Sequence, residues 1–149
     1  MYTHILIAVD GSDVGQKGLE QGLSLAKALG ARATVVTVSE PFPYAATSGA
    51  FGYIASEAAI ADYGSGQEET ANAILKAAAE AAGRIGVAID AVHVPDAQPA
   101  EAIIHGAETR NCDLIIMGSH GRRGLGRLML GSKASEVVTH SKIPVLVVR

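Results

Sequence analysis

The sequence predicts an α/β protein: an open five-stranded parallel sheet with helices on both faces, in one domain spanning residues 1–149. Two patterns carry that expectation. Short, nearly continuous apolar runs read as strands buried on both faces, and amphipathic stretches of helical period alternate with them. Size and composition agree. With 149 residues, 48% of them hydrophobic and 18% charged, the chain can bury about two-thirds of its unfolded surface around one core and lies far from the composition of disordered chains.

His4-Ile5-Leu6-Ile7-Ala8-Val9-Asp10 is the first strand, with Asp10 at its C-terminal end. Gly11-Ser12-Asp13 supplies turn and cap chemistry for a helix whose Leu19, Leu23, Ala26 and Leu29 share one face, and Gly30 stops it. Ala33 to Val38 is the second, β-branched strand, which completes a βαβ unit. From Ser39 to about Gly66 no clear period appears, although 54–61 could be helical. That connection holds three charged residues and five of the six aromatics, Phe42, Tyr44, Phe51, Tyr53 and Tyr63. Its length suits a lid or binding loop, but packing at a sheet edge or a dimer contact is the better account of the aromatics. From Glu68, apolar Ala71, Ile74, Leu75, Ala78, Ala82 and Ile85 recur at helical spacing until Gly83 and Gly86 end the helix. Val87 to Val94 is the third strand, Pro99 to Asn111 a helix with proline in its first turn, and Asp113 to Met117 the fourth strand. Ser132 opens a helix to about Ser141, and Pro144-Val145-Leu146-Val147-Val148 closes the chain as the fifth strand.

Charge and cysteine content narrow the function. A net charge of -3 gives no general attraction to nucleic acid or anionic lipid, so any phosphate site must be local. Cys112 is the single cysteine; a reducing, cytoplasmic setting and a buried inert thiol follow. The N-terminus lacks the basic start and long apolar core of a signal peptide. No apolar run approaches the ~20 residues that cross a bilayer.

After the fourth strand comes Gly118-Ser119-His120-Gly121-Arg122-Arg123-Gly124-Leu125-Gly126-Arg127-Leu128-Met129-Leu130-Gly131-Ser132, with five glycines in fourteen residues from Gly118 to Gly131. Glycine leaves backbone N–H groups open to an anion, and Gly131-Ser132 places such groups at a helix N-terminus, where phosphate is favoured. Ser132 adds a hydroxyl, or simply caps the helix. Two familiar phosphate loops fail here. The lysine follows Ser132 where a P-loop has it before, and no dinucleotide fingerprint follows the first strand. The pattern that fits is G-x2-G-x9-G-[ST], at Gly118, Gly121, Gly131 and Ser132. With Val9-Asp10, Val38 and the closing Pro144 to Val148, it resembles the universal stress protein family along nearly the whole chain.

That resemblance implies a fold similar to the adenine nucleotide α-hydrolases, and membership of the ATP-binding subclass that keeps the glycine loop. It puts Ala8, Val9 and Asp10 near adenine and ribose, Val38 against the base, and Met117 and Gly118 at the ribose. Gly121, Gly131, Ser132 and Lys133 hold the phosphates, with His120 and Arg122 nearby. Asp10 suits a ribose hydroxyl or Mg²⁺, a role that its combination with the glycine loop favours over a turn or cap carboxylate. Arg122, Arg123 and Arg127 could neutralise phosphate or remain solvated, and His93 and His105 read as packing residues. The implied ligand is ATP, with ADP or AMP as alternatives, together with Mg²⁺. The implied role is a nucleotide-dependent stress-response binding or signalling module with an unidentified protein partner. The alternative is a slow ATPase or nucleotidyl-transferring enzyme, for which no nucleophile and base are evident. A phosphoacceptor receiver domain shares the architecture but needs a lysine after the fifth strand, where this sequence has only Arg149. The apolar fifth strand would be a sheet edge, and a homodimer pairing two such strands is expected.

Overall fold

The computed structural model describes residues 1–47, 55–121 and 129–149. Its elements run β1 (His4–Ala8), α1 (Asp13–Leu29), β2 (Arg32–Val38), a single turn α2 (Tyr44–Thr47), α3 (Glu57–Ile85), β3 (Ile89–Val94), α4 (Pro99–Thr109), β4 (Leu114–Gly118), α5 (Ser132–His140) and β5 (Val145–Val148). The strands form one sheet in the order β3-β2-β1-β4-β5, and every neighbouring pair is parallel. The α/β architecture read from the sequence is the one observed.

The period-2 alternation of strand side chains divides the core into two layers. Ile5, Ile7 and Val9 pack with Leu19 and Leu23 of α1 and with Ala78, Ala81 and Ala82 of α3. Leu6 and Ala8 point the other way, to Ala100, Ile103 and Ala107 of α4 and Ala134 and Val137 of α5. β1 is central, so Ile5, Leu6 and Ile7 are fully buried; each such side chain contributes about 1.5–3 kcal/mol relative to exposure. That is why β1 reads as an unbroken apolar run.

Caps follow the sequence closely at α1. Ser12 Oγ accepts from Gly15 N at 3.0 Å, and Gly30 takes the left-handed conformation, φ 64°, that ends the helix. The largest difference concerns α3, which begins at Glu57 behind an N-cap at Ser56 and runs for 29 residues. The part of that connection from Glu57 to Gly66 is therefore helix. Gly64-Ser65-Gly66 interrupts the apolar period and carries poor helix propensity, and tertiary packing of the C-terminal half overrides both. Gly83 lies inside this helix, and Gly86 alone, at φ 79°, supplies the C-cap. β3 starts at Ile89, not Val87, and α4 ends at Thr109. Among the described residues, no helix is long and apolar enough to cross a membrane.

Candidate functional site

Strand order reverses between β1 and β4, and in an open parallel sheet ligands bind beyond the C-terminal strand ends at such a point. A cleft of about 690 Å³ opens there. It gathers Ala8, Val9 and Asp10 from the end of β1, Val38 from β2, Met117, Gly118, His120 and Gly121 from β4 and its exit, and Gly131, Ser132 and Lys133 from the start of α5. Eleven of the twelve residues singled out in the sequence thus line one cavity; Arg122, with Arg123 and Arg127, lies outside the described residues.

Asp10 serves two surfaces. Its Oδ1 accepts from Ser12 N at 3.0 Å and from Ser12 Oγ at 2.6 Å, so one oxygen orients the residue that caps α1. Its Oδ2 faces Gly121 so closely that a Cβ there would lie 2.6 Å away. The turn reading of Asp10 and its place in the cleft coexist.

At α5 the N-cap is Gly131, not Ser132, and among the described residues no side chain caps the helix. The first-turn N–H groups therefore lack the hydroxyl partner that Ser12 gives α1, and they open beside the cleft with the positive end of the helix dipole. The approach to this turn is rigidly built. Gly131 N donates to Ser119 O at 2.7 Å, and Ser119 N donates to Val148 O at 2.7 Å. The Ser119 hydroxyl holds His120 through Nδ1 at 3.0 Å. A Cβ at Gly131 would come within 3.0 Å of His120 Cα, and one at Gly118 within 3.1 Å of the Val14 carbonyl carbon.

The sequence reading missed the opposite wall. Glu40 and, from α3, Tyr63, Gln67 and Thr70 complete the cleft. Tyr63 OH donates to Glu40 O at 3.2 Å and Pro41 O at 3.4 Å and accepts from Gln67 Nε2 at 2.8 Å. Phe42 packs edge-on against Tyr63, ring centroids 5.3 Å apart. The aromatic richness of this stretch was the only signal, and it does not say which ring reaches the cleft. Phe51 and Tyr53 lie outside the described residues. Across the mouth, Lys133 Nζ meets Glu40 Oε1 at 2.7 Å.

His105 is exposed on α4, so the packing expected of it is not seen, whereas His93 and Cys112 are structural. His93 Nε2 pairs with Ser39 Oγ at 2.8 Å. Cys112 is buried in the α4–α5 layer, and burial pushes its thiol up to about 11 against the pull of Arg110, which leaves it inert at neutral pH. Among the described residues no three of His, Cys, Asp and Glu gather as a metal site.

Residues 1–149 match the model of the universal stress protein family. The chain is 35% identical over 149 residues to a universal stress protein of Thermus aquaticus, with both chains covered in full. It is 32% identical over 150 residues to YxiE of Bacillus subtilis, again with both covered in full. Among solved structures, that of MJ0577 of Methanocaldococcus jannaschii is similar with a TM-score of 0.82 at 25% identity, over 99% of this chain and 96% of that one. Two further structures share the fold. One is a universal stress protein in complex with cAMP, TM-score 0.73 at 23% identity over 99% and 97% of the two chains. The other is from Archaeoglobus fulgidus in complex with dAMP, TM-score 0.70 at 19% identity over 99% and 98%.

Proposed function

We propose that this protein, which belongs to the universal stress protein family, binds an adenine nucleotide, ATP with Mg²⁺, in the β1–β4 cleft and works as a cytoplasmic nucleotide-dependent stress-response module. The observation that carries this reading is the first turn of α5, which has no side-chain cap among the described residues and opens on a cleft lined by Asp10, Val38 and Met117. A cleft of about 690 Å³ is the size that drug-sized ligands fill. The cAMP and dAMP bound by proteins of the same fold support the adenine class.

In this reading the division of labour follows polarity. Ala8, Val38 and Met117 give the base an apolar seat, Asp10 Oδ2 accepts from a ribose hydroxyl, and the N–H groups of Ser132, Lys133 and Ala134 with the Ser132 hydroxyl receive the phosphates. Mg²⁺, when bound, would neutralise phosphate charge, and Asp10 is a lining carboxylate that would help to hold it.

Isothermal titration of Mg-ATP, ADP and AMP into nucleotide-stripped protein tests this, with phosphate release followed in the same samples. Ser132→Asp is the informative variant. A carboxylate in the first turn favours the helix dipole, so the fold is retained, while its charge repels phosphate. Wild type is expected to bind, and the variant to bind ATP at least about tenfold more weakly. Failure of wild type to bind any of the three overturns the reading. Steady phosphate release would move the protein to the slow-ATPase class.

A further inference from the structure

Lys133 and Glu40 come from opposite walls of the cleft, one from the first turn of α5 and the other from the exit of β2, yet their charged ends meet at 2.7 Å. The backbone that carries each residue is held in place. Lys133 sits on a helix anchored through Gly131 N to Ser119 O at 2.7 Å. The Glu40 carbonyl is held by Tyr63 OH at 3.2 Å, and Tyr63 is itself fixed by Gln67 at 2.8 Å and wedged against Phe42.

The two side chains remain 49% and 40% exposed, so the pair is one that water screens and a stronger anion can break. Glu40 also adds a negative charge beside the α5 N-terminus, where the ligand's negative charge is to be received.

We propose that Glu40 is a specificity-determining residue that competes with the ligand's phosphates for Lys133, so that the site discriminates among adenine nucleotides by phosphate charge. This rests on the nucleotide reading given above. With the cleft empty, Lys133 is neutralised by Glu40. A polyphosphate takes Lys133 over and leaves the Glu40 carboxylate unpaired at the cleft mouth, so a nucleotide whose phosphates reach Lys133 must displace the clasp, and the penalty from Glu40 grows with the charge brought near it. ATP therefore binds less tightly than the α5 turn alone would allow, and the clasp opens only when a phosphate chain long enough to reach Lys133 is present.

The experiment is a titration of ATP, ADP and AMP into wild type, Glu40→Gln, Lys133→Met and the double variant, each at two salt concentrations. All substitutions fall on exposed side chains, and thermal melts check that each variant is folded. Glu40→Gln is expected to tighten ATP roughly three- to tenfold and AMP less than about twofold. Lys133→Met is expected to weaken ATP, and in its background Glu40→Gln should recover only the smaller, repulsive part of its gain. The gain should shrink at high salt. An unchanged or weakened ATP affinity in Glu40→Gln overturns the inference, as does an equal gain for ATP and AMP or a full gain in the absence of Lys133. If wild type binds no nucleotide, the underlying reading fails and the inference goes with it; if wild type binds and Ser132→Asp does not, the reading stands and the Glu40 variants decide the inference alone.

Discussion

Gly118, Gly121 and Gly131 share a motif but not a physical reason. A Cβ at Gly118 or Gly131 would press on backbone, of Val14 and Gly15 in the first case and of Ser119 and His120 in the second; at Gly121 it would meet only the Asp10 carboxylate. None of the three takes the left-handed conformation that Gly11, Gly30 and Gly86 adopt, so close approach, not unusual φ, selects glycine there. A different single residue pins the β1 and β4 entries together. Asp113 accepts from Thr3 N at 2.8 Å, Thr3 Oγ1 at 2.7 Å and His4 N at 3.0 Å. Burial tends to raise its carboxyl, but the bonds from His4 and Thr3 outweigh burial and hold it below the usual 3.8. A depressed carboxyl stabilises the fold above its unfolded pKa and loses that contribution as pH falls through the folded value. Asp113→Ala is therefore expected to cost about 1–3 kcal/mol at neutral pH, with the difference from wild type narrowing as pH falls below 3.8. Denaturant melts across that range check it; a pH-independent difference would show that the carboxylate charge is not what stabilises.

At the scale of elements, α3 shows where local pattern stops being informative. Its C-terminal half has a clean apolar face, Ala78, Ala81 and Ala82, against β2 and β3, and that half was legible. The N-terminal half contains Gly64 and Gly66, each exposed and with nothing within 4 Å of a built Cβ. Neither has positive φ. Gly64→Ala and Gly66→Ala should each stabilise by about 0.5–1 kcal/mol, a rise of roughly 2–4 °C per kcal/mol in melting temperature for a chain of this size. Thermal unfolding of the two variants measures this, and a fall in either would mean that the helix there requires glycine. The same element explains what the sequence hid in the site. Asp10, Val38 and the glycine loop sit at strand ends, so strand assignment alone places them. Tyr63 and Gln67 reach the cleft from the N-terminal half of α3, and Glu40 lines it with its carbonyl held by Tyr63. Those are tertiary facts with no local periodicity. Gly131 as N-cap was missed for a smaller reason: serine is the stronger cap by propensity, and the close approach to Ser119 and His120 decides otherwise.

For the whole molecule, the two sheet edges differ in how they are protected. β3 is fenced by charge, with Asp90 paired to Arg32 at 3.5 Å. β5 consists of Val145, Leu146, Val147 and Val148, carries no charge within the strand, and leaves Leu146 39% exposed. An apolar edge with unpaired backbone groups favours strand addition, and a two-fold axis satisfies both copies at once. Ser119 ties this edge to the cleft: its N–H bonds Val148 O while its carbonyl receives Gly131 N, so the residue that shapes the α5 turn also fixes the end of β5. A dimer built on β5 would therefore stand two hydrogen bonds, in series through Ser119, from the first turn of α5. Sedimentation at micromolar concentration should give twice the 15.2 kDa of one chain, and Leu146→Lys should give the monomer. A monomeric wild type rules out the dimer, and a Leu146→Lys protein that still sediments as a dimer moves the interface away from β5.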